Sequence, residues 1–509
     1  MDALTFIPTR AAFGDGPLAA HAPLNGRTPR QLLMRLMPCR RPFLLESGKG
    51  GELGRWSFLG GGPRLVLACG PSGVTLTENG ATLPLAGGPL TALRRVLREN
   101  GVSGPGGADT SALPPFFAGL CGVFSYDLAR RFERLPALAA DDAPVPEADL
   151  GWYDTVIAVD HHQARLWVCH LPAPAERSAH AAPRHDRARG RIVDLFERLD
   201  TPAPGEDAPP ATAPVGAVAA EMPRAAFLDM VRRAKDYIAA GDIFQANLSQ
   251  RFAAPLNGLH PWELYRALAA INPAPFACYL EQDGRHVVSS SPERLVSLRA
   301  GLVQARPIAG TRPRGADAAL DRLSGQELLA HPKERAEHVM LVDLMRNDLG
   351  RVCDYGSVRV SEFMTTERYS HVIHIVSNVV GRLGPGMDAP ALLKAVFPGG
   401  TITGAPKVRC MEIIEELEPV RRGIYTGSAG YLSAAGDMDL NILIRTIHAR
   451  DGMARFQTGA GIVADSDPEA EYEETLHKAA AMRRALEQAA DGAVRAAGGR
   501  PVVLGTAGG

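Results

Sequence analysis

Residues 171–222 constrain this chain most. They begin LPAPAERSAHAAPRH and continue TPAPGEDAPPATAPVG. Ala and Pro at that density bury little apolar surface, so the stretch reads as a linker. One amphipathic run inside it, 191–199, predicts a short helix. The core of the 509 residues must then come from two flanking parts, an N-terminal domain at 1–170 and a second at 223–488. The Gly/Ala-rich end, 489–509, reads as a flexible tail. In the first part, short apolar runs such as 64–68 and 154–159 are bounded by Gly, Pro or Asp and predict strands. In the second, strand and helix patterns alternate. Helices are predicted over 225–240, from Pro332 to Gly350, and from Asp467-Pro468 onward, the last opening with an N-cap and a proline.

Charge and cysteine content exclude several classes. Lys and Arg total 55 and Asp and Glu 56, a balance with no footprint for nucleic acid. No apolar run is long enough to span a bilayer, and the first residues lack a signal-peptide core. The seven cysteines form no CxxC pair, so neither a disulfide framework nor a zinc site is predicted. A cytoplasmic protein is the expectation.

The chemistry concentrates in the second part. Glu334 and Glu337 share one helical face, as do Glu471 and Glu474, with Lys478 one turn on. Two such faces could serve a hard cation, although ExxE alone usually marks a solvated face. The loop 397–407, FPGGTITGAPK, puts glycines beside threonines, as an anion cradle or an ordinary tight turn would. It is no P-loop, because Ala405-Pro406 stands where Lys-Ser/Thr is needed. Gly459 and Gly461 match GxGxxA by letter but lack the βαβ context of a dinucleotide site. His371 and His374 fall on opposite faces of a predicted strand, so at most one faces a site. Arg445, in the apolar run 440–447, needs an internal or a substrate carboxylate. Neither GxSxG nor a Gly-x-Cys-x-Gly elbow occurs, so the chain is not equipped to release its own ammonia.

In order, GDIFQANLSQRF (241–252), SSPERL (290–295), RPIAGTRPRG (306–315), KERAEHVMLVDLMRNDLGRV (333–352), FPGGTITGAPKVRCMEIIEELE (397–418), LNILIRT (440–446) and TGAGIVADSDPEAEYEETLHKA (458–479) resemble the chorismate-utilising enzymes. FLLESGKGGELGRWSFLG (43–60) and CGVFSYDLARRFERLP (121–136) extend the resemblance into the first part. The resemblance implies an α+β fold, a two-sheet antiparallel β-sandwich with helices outside and the two parts interwoven. It implies Mg2+ held by Glu337 and Glu474, with Glu334 and Glu471 as supporting partners. Glu293 matches the general acid at the C4 hydroxyl. Tyr425, Arg445 and the Gly459 and Gly461 amides match binders of the enolpyruvyl carboxylate. Lys478 matches a lysine near the ring carboxylate, His374 the histidine beneath the ring, and Thr403 a pocket-lining residue. Leu45, Glu46 and Ser47 resemble a tryptophan-binding segment.

Within the family, Gln245 stands where the hydrolytic branches carry a lysine base. A glutamine cannot deprotonate water, so ammonia is the implied nucleophile, supplied by a glutamine amidotransferase partner subunit. Asn247, Met345, the FPGGTITG loop and LNILIRT resemble the aminodeoxychorismate synthases, which aminate chorismate at C4 for folate synthesis. Ala309 points instead to the anthranilate synthases, because many C4-aminating members carry a lysine there. Both branches stay open, with the first favoured by motif count. A non-catalytic regulatory subunit is the remaining alternative.

Overall fold

The computed structural model describes residues 4–7, 16–48, 54–102, 110–177, 181–203, 205–207, 215–314, 317–368 and 372–496. Its strands form two antiparallel sheets, packed face to face with helices on the outside. His371 lies outside the described residues.

Both sheets are built from both parts of the chain. In the first, Phe43–Glu46 pairs with Phe276–Gln282, setting Leu44 opposite Tyr279. In the second, Gly119–Phe124 pairs with Ser428–Ser433, setting Leu120 opposite Leu432. The two-residue period of a strand explains the layering. Phe43 faces the space between the sheets, where Phe58, Phe116, Trp152 and Tyr431 gather. Its neighbour Leu44 faces the other way, onto a second core with Leu59, Val168 and Val288. That outer core is covered by Pro29–Leu36, Pro261–Ile271 and Pro468–Ala496.

The structure corrects three local expectations. The segment 171–222 holds a 20-residue helix, Ala181–Asp200, in place of the short one at 191–199. Ala188, Ile192, Phe196 and Leu199 recur at helical spacing and bury one stripe in the outer core, which outweighs the polar average of the stretch. The last helix runs on to Ala496 instead of ending near 488, and 497–509 lie outside the described residues. The apolar run 440–447 is not one strand. Met438–Asn441 belongs to one sheet and Thr446–Arg450 to the other, and the chain crosses between them at 442–445. Among the described residues no helix is long and apolar enough to cross a membrane, and all seven cysteines are free thiols.

Phe116 stacks on Tyr431 with centroids 4.5 Å apart and meets Phe58 edge-on at 5.6 Å. It thus joins the two parts of the chain across the sandwich. Phe116→Ala is expected to cost about 3–5 kcal/mol. Because the sheets are shared, a urea titration followed by near-UV and far-UV circular dichroism should show one coincident transition at lower midpoint. Two separated transitions would mean that the parts unfold independently.

Candidate active site

Two chain crossings between the sheets build the centre of the site. The first joins Arg285–Ser291 to Arg294–Arg299 through Pro292 and Glu293. The second is 442–445. They are hydrogen-bonded to each other: Ile442 N donates to the Glu293 carbonyl at 3.0 Å and Ser290 N to the Arg445 carbonyl at 3.1 Å. Ser291 Oγ donates to the Ile442 carbonyl at 2.6 Å. Arg445 takes a left-handed backbone conformation, φ 51°. The crossing therefore holds Glu293 and Arg445 side by side.

Burial pushes the Glu293 carboxyl up to about 7, against a hydrogen bond from Thr401 and the charges of Lys478 and Arg445. Thr401 Oγ1 donates to Glu293 Oε1 at 2.8 Å. An acid held protonated near neutral pH can give a proton to a leaving hydroxyl.

The strands Gln245–Pro255 and Met453–Ile462 form the adjoining wall, with Asn247 opposite Gly461 and Ser249 opposite Gly459. Gln245 Nε2 donates to Glu337 Oε1 at 3.0 Å. A Cβ on Gly461 would come within 2.6 Å of Gln245 Nε2. One on Gly459 would meet Asn247 Oδ1 at 2.6 Å and the Tyr425 hydroxyl at 2.8 Å. Gly459 is thus required by close approach, since the Leu248 carbonyl also lies 2.7 Å from that point, whereas at Gly461 the flexible end of Gln245 would have to shift. Lys478 Nζ donates to the Gly459 carbonyl at 2.9 Å and pairs with Glu474 Oε1 at 2.7 Å. Glu337 and Lys478 thus reach the two paired strands from two different helices, Pro332–Gly350 and Pro468–Ala496, and Glu474 is held by Lys478 one turn along the second. Glu334 pairs with Arg312 at 3.2 Å and lies against Gly310, whose carbonyl accepts from His374 Nδ1 at 3.0 Å. That bond leaves the lone pair of a neutral imidazole on Nε2. Glu471 lies on the first turn of the last helix. Among the described residues no group of three or more His, Cys, Asp or Glu converges as a metal cluster.

Other expected site residues fall elsewhere. Thr403 is fully buried and turned into its own loop, its hydroxyl donating to the Gly399 carbonyl at 2.8 Å. Thr401, two residues earlier, is the threonine that reaches the site. Ala309 is buried in the strand Ile308–Pro313. Leu45, Glu46 and Ser47 border a separate cavity of about 250 Å³, shared with Trp56, Arg294 and Tyr431. The Glu46 carboxylate accepts from Tyr265 at 2.6 Å and Arg30 at 3.2 Å.

Sequence reasoning missed the support beneath the wall. Arg422 and Glu418 form a buried ion pair at 2.7 Å. Arg422 also donates to the Ile402 and Asn247 carbonyls at 2.8 and 2.6 Å, and Glu418 accepts from Ser249 N and Oγ. The guanidinium lies 5.6 Å from the Tyr425 ring. The four-residue spacing of Glu418 and Arg422 was a signal, but the helix ends at Leu417.

The chorismate binding enzyme family matches residues 41–484. The chain belongs to that family, and it is a chorismate-utilising enzyme. It is 44% identical over 479 residues to anthranilate synthase component 1 of Cereibacter sphaeroides, covering 93% of this chain and 94% of the relative. It is also 44% identical over 449 residues to aminodeoxychorismate synthase component 1 of Bacillus subtilis, covering 87% and 91%. Anthranilate synthase component I from Streptococcus pneumoniae superposes with a TM-score of 0.74 at 34% identity, over 86% of this chain and 94% of that one.

Thr401→Val removes the donor that favours the charged form of Glu293, so the acid should stay protonated to higher pH. The alkaline limb of the kcat profile should move upward; a limb that stays in place would separate Thr401 from the acid. Arg422→Leu leaves Glu418 buried and unpaired, and a melt should show a loss of about 3–5 kcal/mol.

Proposed function

We propose that this chain aminates chorismate at C4 with ammonia, giving 4-amino-4-deoxychorismate for p-aminobenzoate and folate synthesis. The observation that carries the amination is Gln245. A carboxamide pinned by its Nε2 to Glu337 offers no base for activating water. The motifs around Asn247, 397–404 and 440–446 support attack at C4. In the reaction, Arg445, Lys478 and the Tyr425 hydroxyl hold the substrate carboxylates. Burial pushes the Tyr425 phenol upward, so it stays a neutral donor. Glu293 gives its proton to the C4 hydroxyl as the C–O bond breaks, releasing water. The ammonia nitrogen forms the new bond and gives up a proton, which returns Glu293 to its starting state.

The donor chemistry fits Mg2+. The four glutamates offer only oxygen, and the ion usually takes one or two carboxylates with substrate and water oxygens completing its shell. Glu337 and Glu474 would hold it, with Glu334 and Glu471 in support. Bound there, it would neutralise the ring carboxylate of chorismate. Ammonia would come from a glutamine amidotransferase subunit in the cytoplasm; both named relatives are designated component 1. The cavity beside Leu45 and Ser47 would take tryptophan.

Ala309 favours a second reading. Its methyl group supplies no nucleophile, and direct attack of ammonia at C2 with the protonated C4 hydroxyl leaving as water, followed by loss of pyruvate, would give anthranilate. A product assay decides. Chain, chorismate, Mg2+ and ammonium chloride are incubated with and without aminodeoxychorismate lyase. Lyase-dependent p-aminobenzoate is the expected result; lyase-independent fluorescent anthranilate would replace the first reading with the second. Glu337→Gln should abolish Mg2+-dependent turnover, and unchanged turnover would refute the metal assignment. Glu293→Gln should lower kcat by about 10²–10⁴-fold, the usual worth of a positioned general acid.

A further inference from the structure

We propose that the side-chain oxygens of Gln245 and Asn247 form the docking site for the incoming ammonia, and that Asn247 sets the affinity for it. This rests on the amination reading above. Gln245 and Asn247 lie two residues apart on one strand, so their side chains share a face. Gln245 Oε1 and Asn247 Oδ1 are both shielded from solvent, and neither accepts a hydrogen bond among the described residues. A buried polar atom without a partner is costly and calls for a donor from outside the chain.

The Gln245 amide is held from behind, and Asn247 is fixed at its backbone. Glu337 takes the Nε2 hydrogen of Gln245, which leaves Oε1 as the acceptor. Asn247 is anchored through its backbone, its N donating to the Thr403 carbonyl at 2.9 Å and its carbonyl accepting from Arg422. The bare Gly459 and Gly461 opposite leave room for the two carboxamides to lie against the neighbouring strand. Two acceptors without a donor, beside a carboxylate, match a small ligand made of N–H groups. Ammonia and ammonium are such ligands.

The test is steady-state kinetics on the purified chain with Mg2+, saturating chorismate and varied ammonium chloride. Asn247→Leu keeps the size and removes the acceptor; Asn247→Ala is the second variant should Leu disturb the strand. Both should raise the ammonium KM about 10-fold, the worth of one hydrogen bond of about 1.4 kcal/mol. The chorismate KM should stay within about 2-fold, and Asn247→Asp, which retains acceptors, should recover most of the ammonium affinity. An unchanged ammonium KM, or a chorismate KM that rises in parallel, would overturn the docking site while leaving amination intact. A wild-type chain that makes no ammonia-dependent product would overturn the amination reading and this site with it.

Discussion

The Arg422–Glu418 pair is the interaction on which the catalytic face depends. Two buried charges are expensive to desolvate, and an ion pair offsets that cost only when its remaining donors and acceptors are satisfied. Here the guanidinium spends them on the carbonyls of Ile402 and Asn247, and the carboxylate on Ser249. One pair therefore fixes the loop carrying Thr401, the strand carrying Gln245, and the turn presenting Tyr425. The ring of Tyr126 lies 5.0 Å from the same guanidinium, so the N-terminal part of the chain is tied in as well.

The two crossings between sheets explain why the acid and the arginine sit where they do. A strand that continues in one sheet alternates its side chains between two cores and leaves none at a mouth. A chain that leaves one sheet for the other turns a few residues toward the seam. Glu293 and Arg445 occupy those positions. Arg445 carries a left-handed backbone worth about 1–3 kcal/mol of strain. The surrounding bonds, including Thr426 N to the Leu443 carbonyl, hold it there. The same burial that makes the seam dry pushes Glu293 toward neutrality.

Much of this was legible in the residues, and the failures have physical causes. Strand-rich and alternating regions, the helix from Pro332 to Gly350, and the family motifs all lie in local order. The break at 442–445 does not, because apolar residues suit either sheet and only the pairing partners decide which. Helix Ala181–Asp200 was hidden by an Ala- and Pro-rich average that masked one apolar stripe. Thr401 and Thr403 differ only in which way a tight loop turns them. Glu46 shows the same limit on a strand: it borders the cavity with Leu45 and Ser47, yet its carboxylate is bound by Tyr265 and Arg30.

The shared sheets also carry a consequence for synthesis on the ribosome. Strand Gly119–Phe124 has Ser428–Ser433 as one of its two neighbours. Those residues are made roughly 300 positions later, which at typical elongation rates is roughly 15–60 s. During that interval one edge of the strand has open N–H and C=O groups, although its residues are among the most apolar of the first part. The nascent chain must keep that edge from pairing with another copy until its own C-terminal third arrives.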